Sequence, residues 1–516
     1  MKKLLVISIL FSALYSYSQP LIQWQKCFGG SAVDYGRSIQ QTTDGGYIIT
    51  GQSISTNGDV TGGHGNYDYW VVKMNSVGTL QWQKCFGGTS FDAGQVIQQT
   101  TDKGYIIAGN SMSNDGDVSG NHGGDDCWIV KIDSLGVIQW QRCLGGTASD
   151  DVNYIQQTLD GGYVIAGISN SNDGDVSGNH GSYDVWVAKL SNLGLIQWQR
   201  SLGGTLDDYG YSIHQTTNEE YIVAGASKSS DGDVSTNHGL FDYWIVQLNN
   251  TGQIQWQTSL GGTNFDVPQS VEQTTDGGYI IAGRSKSNDV DVTVNHGLND
   301  YWLVKLTGLG ILQWQKSFGG TDEDYGTCVQ QTTDGGYVVA GCSKSSDVDV
   351  TGNHGNNDYW LIKLDNAGIM EWQKSLGGTG ADLGGVVIKQ AADHGYIVSG
   401  YAFSNDGDVT GNHGDYDYWV VKLDTALISV GVQENENVRS SSVLVSPNPS
   451  RGQFNFTGLE KESTITIYDI MGRSIAETLS NNSGKTIDLT GKDKGIYFYK
   501  IVNSKKIIQQ GKLIIE

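Results

Sequence analysis

Proline, basic charge and long apolar stretches are all scarce in this sequence. Only 4 prolines occur among 516 residues, against 72 glycines, and Asp and Glu outnumber Lys and Arg by 55 to 32. The resulting charge of −23 argues against a nucleic-acid partner, because binding phosphates needs a basic surface. No apolar run after the N-terminal segment approaches the roughly 18–20 residues that span a bilayer, and no run has helical periodicity. These absences favour a turn-rich all-β protein without a transmembrane segment.

The N-terminus has the pattern of a secretory signal peptide. Lys2 and Lys3 precede an apolar stretch from Leu4 to Leu14, and the small residues Ser16 and Ser18 follow. This order is what signal peptidase requires, so we predict a signal peptide over residues 1–18, cleavage after Ser18, and export.

Six cysteines in an exported chain raise the question of disulfides. Cys27, Cys85 and Cys143 occupy one repeat position that the later repeats fill with serine, so no bridge is required there. Cys328 and Cys342 flank a turn, and a disulfide across that hairpin remains open.

Tryptophan marks a repeat. The 14 tryptophans fall into two registers spaced by 58 residues, and only the second register has one extra residue before its last member. The registers are Trp24, Trp82, Trp140, Trp198, Trp256, Trp314 and Trp372, and Trp70, Trp128, Trp186, Trp244, Trp302, Trp360 and Trp419. Seven repeats therefore occupy residues 20–425. We expect most of these indoles to pack in the core.

Each repeat contains four strand-like runs, which in the second repeat read "LQWQKC" (strand A), "QVIQQT" (B), "YIIAGN" (C) and "CWIVKI" (D). Short glycine turns join B to C and D to A, whereas the A-to-B and C-to-D links are longer. Four short strands repeated seven times predict a seven-bladed β-propeller, with an open β-solenoid as the alternative.

The array begins with strand A and ends with strand D. We therefore predict that Ile22–Lys26 pairs with Tyr418–Leu423 and closes the ring, which removes two open sheet edges. Strand B is expected to be innermost. Antiparallel order places both long links on one face of the disk, the loop face.

The loop face carries acidic residues and a histidine in every repeat. "SNDGDVSGNHG" resembles a calcium loop, because carboxylates on a glycine-rich turn are hard oxygen ligands; the alternative is that Asp and Asn cap turns. The calcium candidates are Asp115, Asp117 and Asp126, with Asp173, Asp175 and Asp184 in the next repeat. The candidates for a partner-binding loop face are His122, His180, His238, Asp92, Asp150 and Asp208.

No catalytic constellation is evident. Near-identical repeats work against one asymmetric site, and the departures His214, His394, Glu219–Glu220 and Pro268 have no spacing that joins a nucleophile to a base. Drift between duplicated repeats explains them, and we predict no enzymatic activity.

After a polar linker over residues 426–443, residues 444–516 change pattern and alternate as a small β-sandwich does. The ordered blocks include "SPNPSRG", "YDIMGR" and "GIYFYK". The matching positions are Pro447, Asn448, Pro449, Gly452, Tyr468, Asp469, Gly472, Arg473, Gly495, Tyr497 and Lys512. On these residues the segment resembles the type A sorting domain of type IX secretion substrates.

The resemblance implies that the secretion machinery recognises the tail after the chain folds in the periplasm. The cargo would then be released or attached to surface lipopolysaccharide. The repeats are similar to uncharacterised propeller-type arrays of secreted proteins. We expect a non-enzymatic binding or adhesion propeller with a glycan or protein ligand; the alternatives are a polysaccharide-active enzyme and a structural surface protein without a ligand.

Overall fold

The computed structural model describes residues 16–17, 19–425, 428–429, 443–469, 473–480, 482–503 and 506–516. The predicted signal peptide and linker lie almost wholly outside these residues. The chain divides into two compact units, Met1–Ser429 and Val430–Glu516. Every element of the described residues is a β-strand, and among them no helix is long and apolar enough to cross a membrane.

The first unit contains seven four-stranded antiparallel sheets, each ordered B-C-D-A. The B strands are Asp34–Gln41, Asp92–Gln99, Asp150–Gln157, Asp208–Gln215, Asp266–Gln273, Asp324–Gln331 and Asp382–Gln390. The C strands are Tyr47–Ser53, Tyr105–Ser111, Tyr163–Ser169, Tyr221–Ser227, Tyr279–Ser285, Tyr337–Ser343 and Tyr396–Ala402. The D strands are Asp68–Met74, Asp126–Ile132, Asp184–Leu190, Asp242–Leu248, Asp300–Leu306, Asp358–Leu364 and Asp417–Leu423. The A strands are Ile22–Phe28, Leu80–Phe86, Ile138–Leu144, Ile196–Leu202, Ile254–Leu260, Leu312–Phe318 and Met370–Leu376. Two short strands, Ser16–Tyr17 and Ile428–Ser429, also pair.

The predicted pairing between the two ends of the array is confirmed. Ile22–Phe28 is the fourth strand of the last sheet, with Gln25 opposite Val421 and Phe28 opposite Tyr418. The seventh sheet also contacts the first through their B strands, as other neighbouring sheets do. The first unit is therefore a seven-bladed β-propeller, since an open solenoid would have no contacts between its last and first repeats.

The core lies between the sheets. All seven D-strand tryptophans are buried, and the hydrophobic clusters of the first unit combine strands from two adjacent sheets. The A-strand tryptophans are half-buried, apart from the buried Trp372. Trp82 packs edge-on against Tyr105 of the next sheet, with 6.1 Å between the ring centroids. The prediction of a tryptophan core holds fully for strand D and in part for strand A.

The six cysteines are buried and free. Cys328 lies opposite Ala340, while Cys342 lies opposite Tyr325. The two thiols therefore do not face each other across the hairpin, and the disulfide considered above is not formed.

The second unit is a small β-sandwich of a three-stranded and a four-stranded sheet. Its strands are Leu444–Ser446, Gln453–Thr457, Ser463–Tyr468, Ser474–Ser480, Gly484–Asp488, Gly495–Asn503 and Lys506–Ile515. Phe454, Ile467 and Ile501 lie in its buried core.

Candidate functional site

The first aspartate of each B strand supports the loops internally. Asp92 is fully buried and accepts hydrogen bonds from the hydroxyls of Ser111 and Ser113 and from the backbone N–H of Gly88, the last two at 2.8 Å. Asp150 and Asp208 are equally buried and bonded in the same way. The prediction that these three carboxylates face a partner is corrected, because burial leaves them no accessible surface.

The first aspartate of each D strand is bonded to the loop histidine. Asp126 Oδ2 accepts bonds from the backbone N–H of His122 at 2.9 Å and lies 2.6 Å from its Nδ1. His180 and His238 have the same contacts with Asp184 and Asp242. The three histidine side chains are only about one-third exposed, at 37%, 36% and 29%. They reach the surface of the loop face but are oriented by bonds within it.

The remaining calcium candidates do not form a cation site with these aspartates. Asp115 accepts bonds from the N–H and the hydroxyl of Thr89, both at 2.8 Å, one at each carboxylate oxygen. Asp173 makes the same pair of bonds to Thr147. Asp117 and Asp175 instead bond through their backbone N–H to the A-to-B link. Within the described residues no group of three or more His, Cys, Asp or Glu could hold a metal ion.

Half-exposed aromatic residues occupy the loop-face ends of strands B, C and D, and we call them the aromatic rim. They form two strips of rings whose centroids lie 4.5 to 6.2 Å apart. The first strip comprises Phe91, Tyr67, Tyr35, Tyr401, Tyr416 and Phe403, and the second comprises Tyr183, Tyr209, Phe241 and Phe265. The rim could not be predicted from the sequence because its members come from five repeat positions, none of which is aromatic in all seven repeats.

A central channel of about 490 Å³ runs between the B strands of all seven repeats. Strand B is therefore innermost, as predicted. One repeat position contributes a ring of side chains to the channel, which we call the channel ring. It comprises Gln40, Gln98, Gln156, His214, Glu272, Gln330 and Lys389.

The glutamines of the channel ring join neighbouring sheets. Gln98 Oε1 accepts the backbone N–H of Gln157 in the next repeat at 2.7 Å. Gln40, Gln156, Gln330 and the carboxylate of Glu272 accept equivalent bonds at 2.6 to 2.7 Å. Among the described residues, neither His214 nor Lys389 accepts such a bond. Aligning the repeats reveals His214 and Glu272 where four other repeats have glutamine. The extra residue in the last B strand shifts Lys389 by one position, so a fixed spacing of 58 residues does not find it.

Charge in the channel is unsymmetrical. Burial, and then the nearby Lys389, lower the pKa of His214 to about 3, so its imidazole is neutral at pH 7. Burial raises the pKa of Glu272, although Lys389 opposes that rise. The ring of His214 packs against Tyr154 at 4.9 Å.

Of the other departures from the repeat, Glu219, Glu220 and His394 lie at the turns between strands B and C. Glu220 accepts a 2.5 Å hydrogen bond from Gln247, where the second repeat pairs Asp102 with Lys131. Glu219 and His394 take the positive-φ turn positions, at 63° and 64°. Neither residue lines the channel, and Pro268 is a buried residue of strand B.

In the tail, Asn448 connects the exposed Pro447–Pro449 loop to the last strand. Its Nδ2 donates to the Lys512 carbonyl at 2.7 Å, and its Oδ1 accepts the Ile514 N–H at 2.9 Å. Arg473 pairs with Asp469 at 2.7 Å.

Of the other predicted motif positions, the Tyr497 hydroxyl donates to the Asp493 carbonyl at 2.8 Å, and Tyr468 ends a strand. Gly452 and Gly495 both have positive φ. Gly472 lies outside the described residues.

Residues 444–516 match the family model described as the secretion system C-terminal sorting domain. The tail is thus a sorting domain that engages the type IX machinery. The chain is exported by that route to the cell surface or beyond it.

The chain is distantly similar to several known proteins. Over 142 residues, 24% of this chain, it is 27% identical to the regulatory protein FlaEY of Caulobacter vibrioides, and the match covers 14% of that protein. Three solved structures are each 11% identical to this chain. The extracellular domain of a proposed one-component system of B. thetaiotaomicron aligns over 96% of this chain and 58% of its own, with a TM-score of 0.40. PorZ, an essential surface component of the type-IX secretion system of Porphyromonas gingivalis, aligns over 94% and 70% with a TM-score of 0.29, and puromycin hydrolase over 86% and 61% with a TM-score of 0.45. At these TM-scores the fold assignment rests on the strand pairing itself.

Proposed function

We propose that this exported propeller is a non-enzymatic binding module that takes a glycan on its loop face, at the aromatic rim. The observation that carries the proposal is the pair of aromatic strips. Phe265 and Phe403 are 44% and 50% exposed, which is unusual for side chains of this size.

Stacked aromatic side chains with polar neighbours are suited to sugars. A pyranose ring presents an apolar face that packs on an aromatic ring, while its hydroxyls need hydrogen-bond partners at the edge. Asp207 and Asp415 lie next to the strips in the sequence and supply such acceptors. Asp207 Oδ1 already accepts the hydroxyl of Ser182 at 2.5 Å, which orients this carboxylate. Two strips on one molecule also permit multivalent contact with a polysaccharide, which raises avidity without strong single sites.

The test is binding of the full chain to a glycan array, followed by titration of the best glycan against rim variants. Tyr35→Ala and Tyr209→Ala are suitable, because Ala93 stands at the same position in the second repeat. We expect each variant to bind about fivefold more weakly, since an aromatic contact contributes roughly 1 kcal/mol.

Tyr325→Ala is the matched control. Tyr325 occupies the same repeat position but lies in neither strip, packing instead under the guanidinium of Arg284 at 5.0 Å. No binding on the array, or equal loss from the control and the rim variants, would contradict the proposal.

A further inference from the structure

The channel ring departs from glutamine at three of its seven positions, which are occupied by His214, Glu272 and Lys389. Glutamine at this position is a structural residue, because its carbonyl oxygen accepts a backbone N–H from the next repeat. His214 and Lys389 make no such bond within the described residues. The replacements therefore forgo a stabilising contact, which is the pattern expected of residues kept for binding.

The channel is positively charged inside an acidic protein. Its charged lining residues are Arg37, Lys389 and Glu272, two cations against one anion, whereas the whole chain has a charge of −23. Neither cation makes an ion pair or hydrogen bond in the part of the chain that the structure describes, and Arg37 Nε is buried without a partner. The Arg37 guanidinium lies over the ring of Tyr401, with 5.8 Å between its Cζ and the ring centroid.

From these contacts we infer that the channel binds a small hydroxylated carboxylate, such as a uronic acid, with Lys389 and Arg37 as its charged contacts. A free cation in a confined cavity favours an anion, because solvent screens the interaction less there. The amides of the channel ring and the neutral His214 supply donors and acceptors for hydroxyl groups. Tyr154, packed on His214, offers an apolar face.

The size of the cavity agrees with this class of ligand. About 490 Å³ lies within the range of pockets for small molecules, and it is too small for a folded partner. The inference does not depend on the rim, because the channel lining and the rim share no residue.

The test is calorimetric titration of the full chain with glucuronate and, separately, with glucose. We expect glucuronate to bind more tightly than glucose. Lys389→Gln should weaken glucuronate binding at least tenfold and leave glucose binding unchanged. This variant restores the glutamine found in four other repeats, so its melting temperature should stay the same or rise.

Arg37→Gln is the second variant, since Gln95 and Gln269 stand at the same position in other repeats. Lys84→Gln is the control for loss of one positive charge, because Lys84 is exposed on an outer strand. The inference is overturned if the full chain shows no preference for glucuronate, or if both channel variants bind it as tightly as Lys84→Gln does.

Discussion

The indole N–H of Trp419 donates a 2.9 Å hydrogen bond to the side chain of Gln25, which lies 394 residues earlier. In every other sheet the same bond joins a D-strand tryptophan to the A strand that follows it directly, as from Trp70 to Gln83 at 2.8 Å. The last sheet thus makes with the start of the chain the contact that the others make locally. A second bond across the same boundary runs from the Ala392 N–H to Gln41 at 2.9 Å.

The first prediction concerns this boundary. Gln25→Ala leaves the buried indole N–H of Trp419 unpaired, and we expect it to lower the free energy of unfolding by about 1–2 kcal/mol. Gln83→Ala is the control. It removes the equivalent bond to Trp70 and should lower the free energy of unfolding by the same amount, but its A strand follows the D strand of the same sheet directly in the chain. Limited proteolysis should release the N-terminal strand more readily from Gln25→Ala only. Equal protection of the two variants would contradict this view.

The second prediction separates turn capping from calcium binding. In the first repeat Asn57 stands at the position of Asp115. Its Oδ1 accepts the backbone N–H of Ser31 at 2.8 Å, and its Nδ2 donates to the Ser31 hydroxyl at 2.9 Å. We therefore expect Asp115→Asn to change the free energy of unfolding by less than about 0.5 kcal/mol. Calcium and a chelator should both leave the melting temperature unchanged. A rise with calcium that Asp115→Asn removes would instead indicate a bound ion.

The third prediction concerns two strained valines. Val290 and Val348 both have φ of 55° where five other repeats have glycine, with φ of 62° to 66°. Left-handed backbone at a side chain costs roughly 1–2 kcal/mol, so Val290→Gly should stabilise the chain by about 1 kcal/mol in chemical denaturation. Val77→Gly is the control, because Val77 is equally exposed but not in a positive-φ conformation. It should not stabilise.

The fourth prediction is a dependence of stability on pH. Burial raises the pKa of Asp68 from 3.8 to about 6, and the neighbouring carboxylates of Asp92 and Asp117 add to the rise while His64 opposes it. The pKa is raised to about 6 likewise for Asp34, Asp151, Asp242, Asp324 and Asp358. Because the folded chain binds these protons more tightly, stability should fall as pH rises through this window.

We accordingly expect a higher melting temperature at pH 5 than at pH 7. The hairpin carboxylates with lowered pKa, such as Asp44 at about 2, remain ionised at both values and cancel out. Asp68→Asn should reduce the slope. A melting temperature that falls between pH 7 and pH 5 would contradict the prediction.

The order of the strands could be predicted from residue spacing. Tryptophans every 58 residues count the repeats, and glycine turns identify which strands are hairpin neighbours. Starting the array with strand A required a partner at the other end, and this fixed the pairing of Ile22–Phe28 with the last sheet. These inferences succeed because they depend on local geometry that is repeated seven times.

The roles of the aspartates could not be predicted in the same way. Asp92 and Asp115 are equally polar in the sequence, yet Asp92 is buried among two serines and Asp115 is exposed against Thr89. Which carboxylate faces solvent depends on how the A-to-B and C-to-D links fold over each other. No spacing within either link contains that information.

The sequence by itself determined the strands, their order, the loop face and the sorting tail, because each follows from neighbours in the chain. Only the tertiary structure decided that His214, Glu272 and Lys389 share one channel and that residues of unrelated repeat positions form the aromatic rim. These groups come from different repeats and meet only when seven sheets surround a common axis. A replacement that looks like drift within one repeat can therefore be interpreted only together with the channel residues that the other repeats contribute.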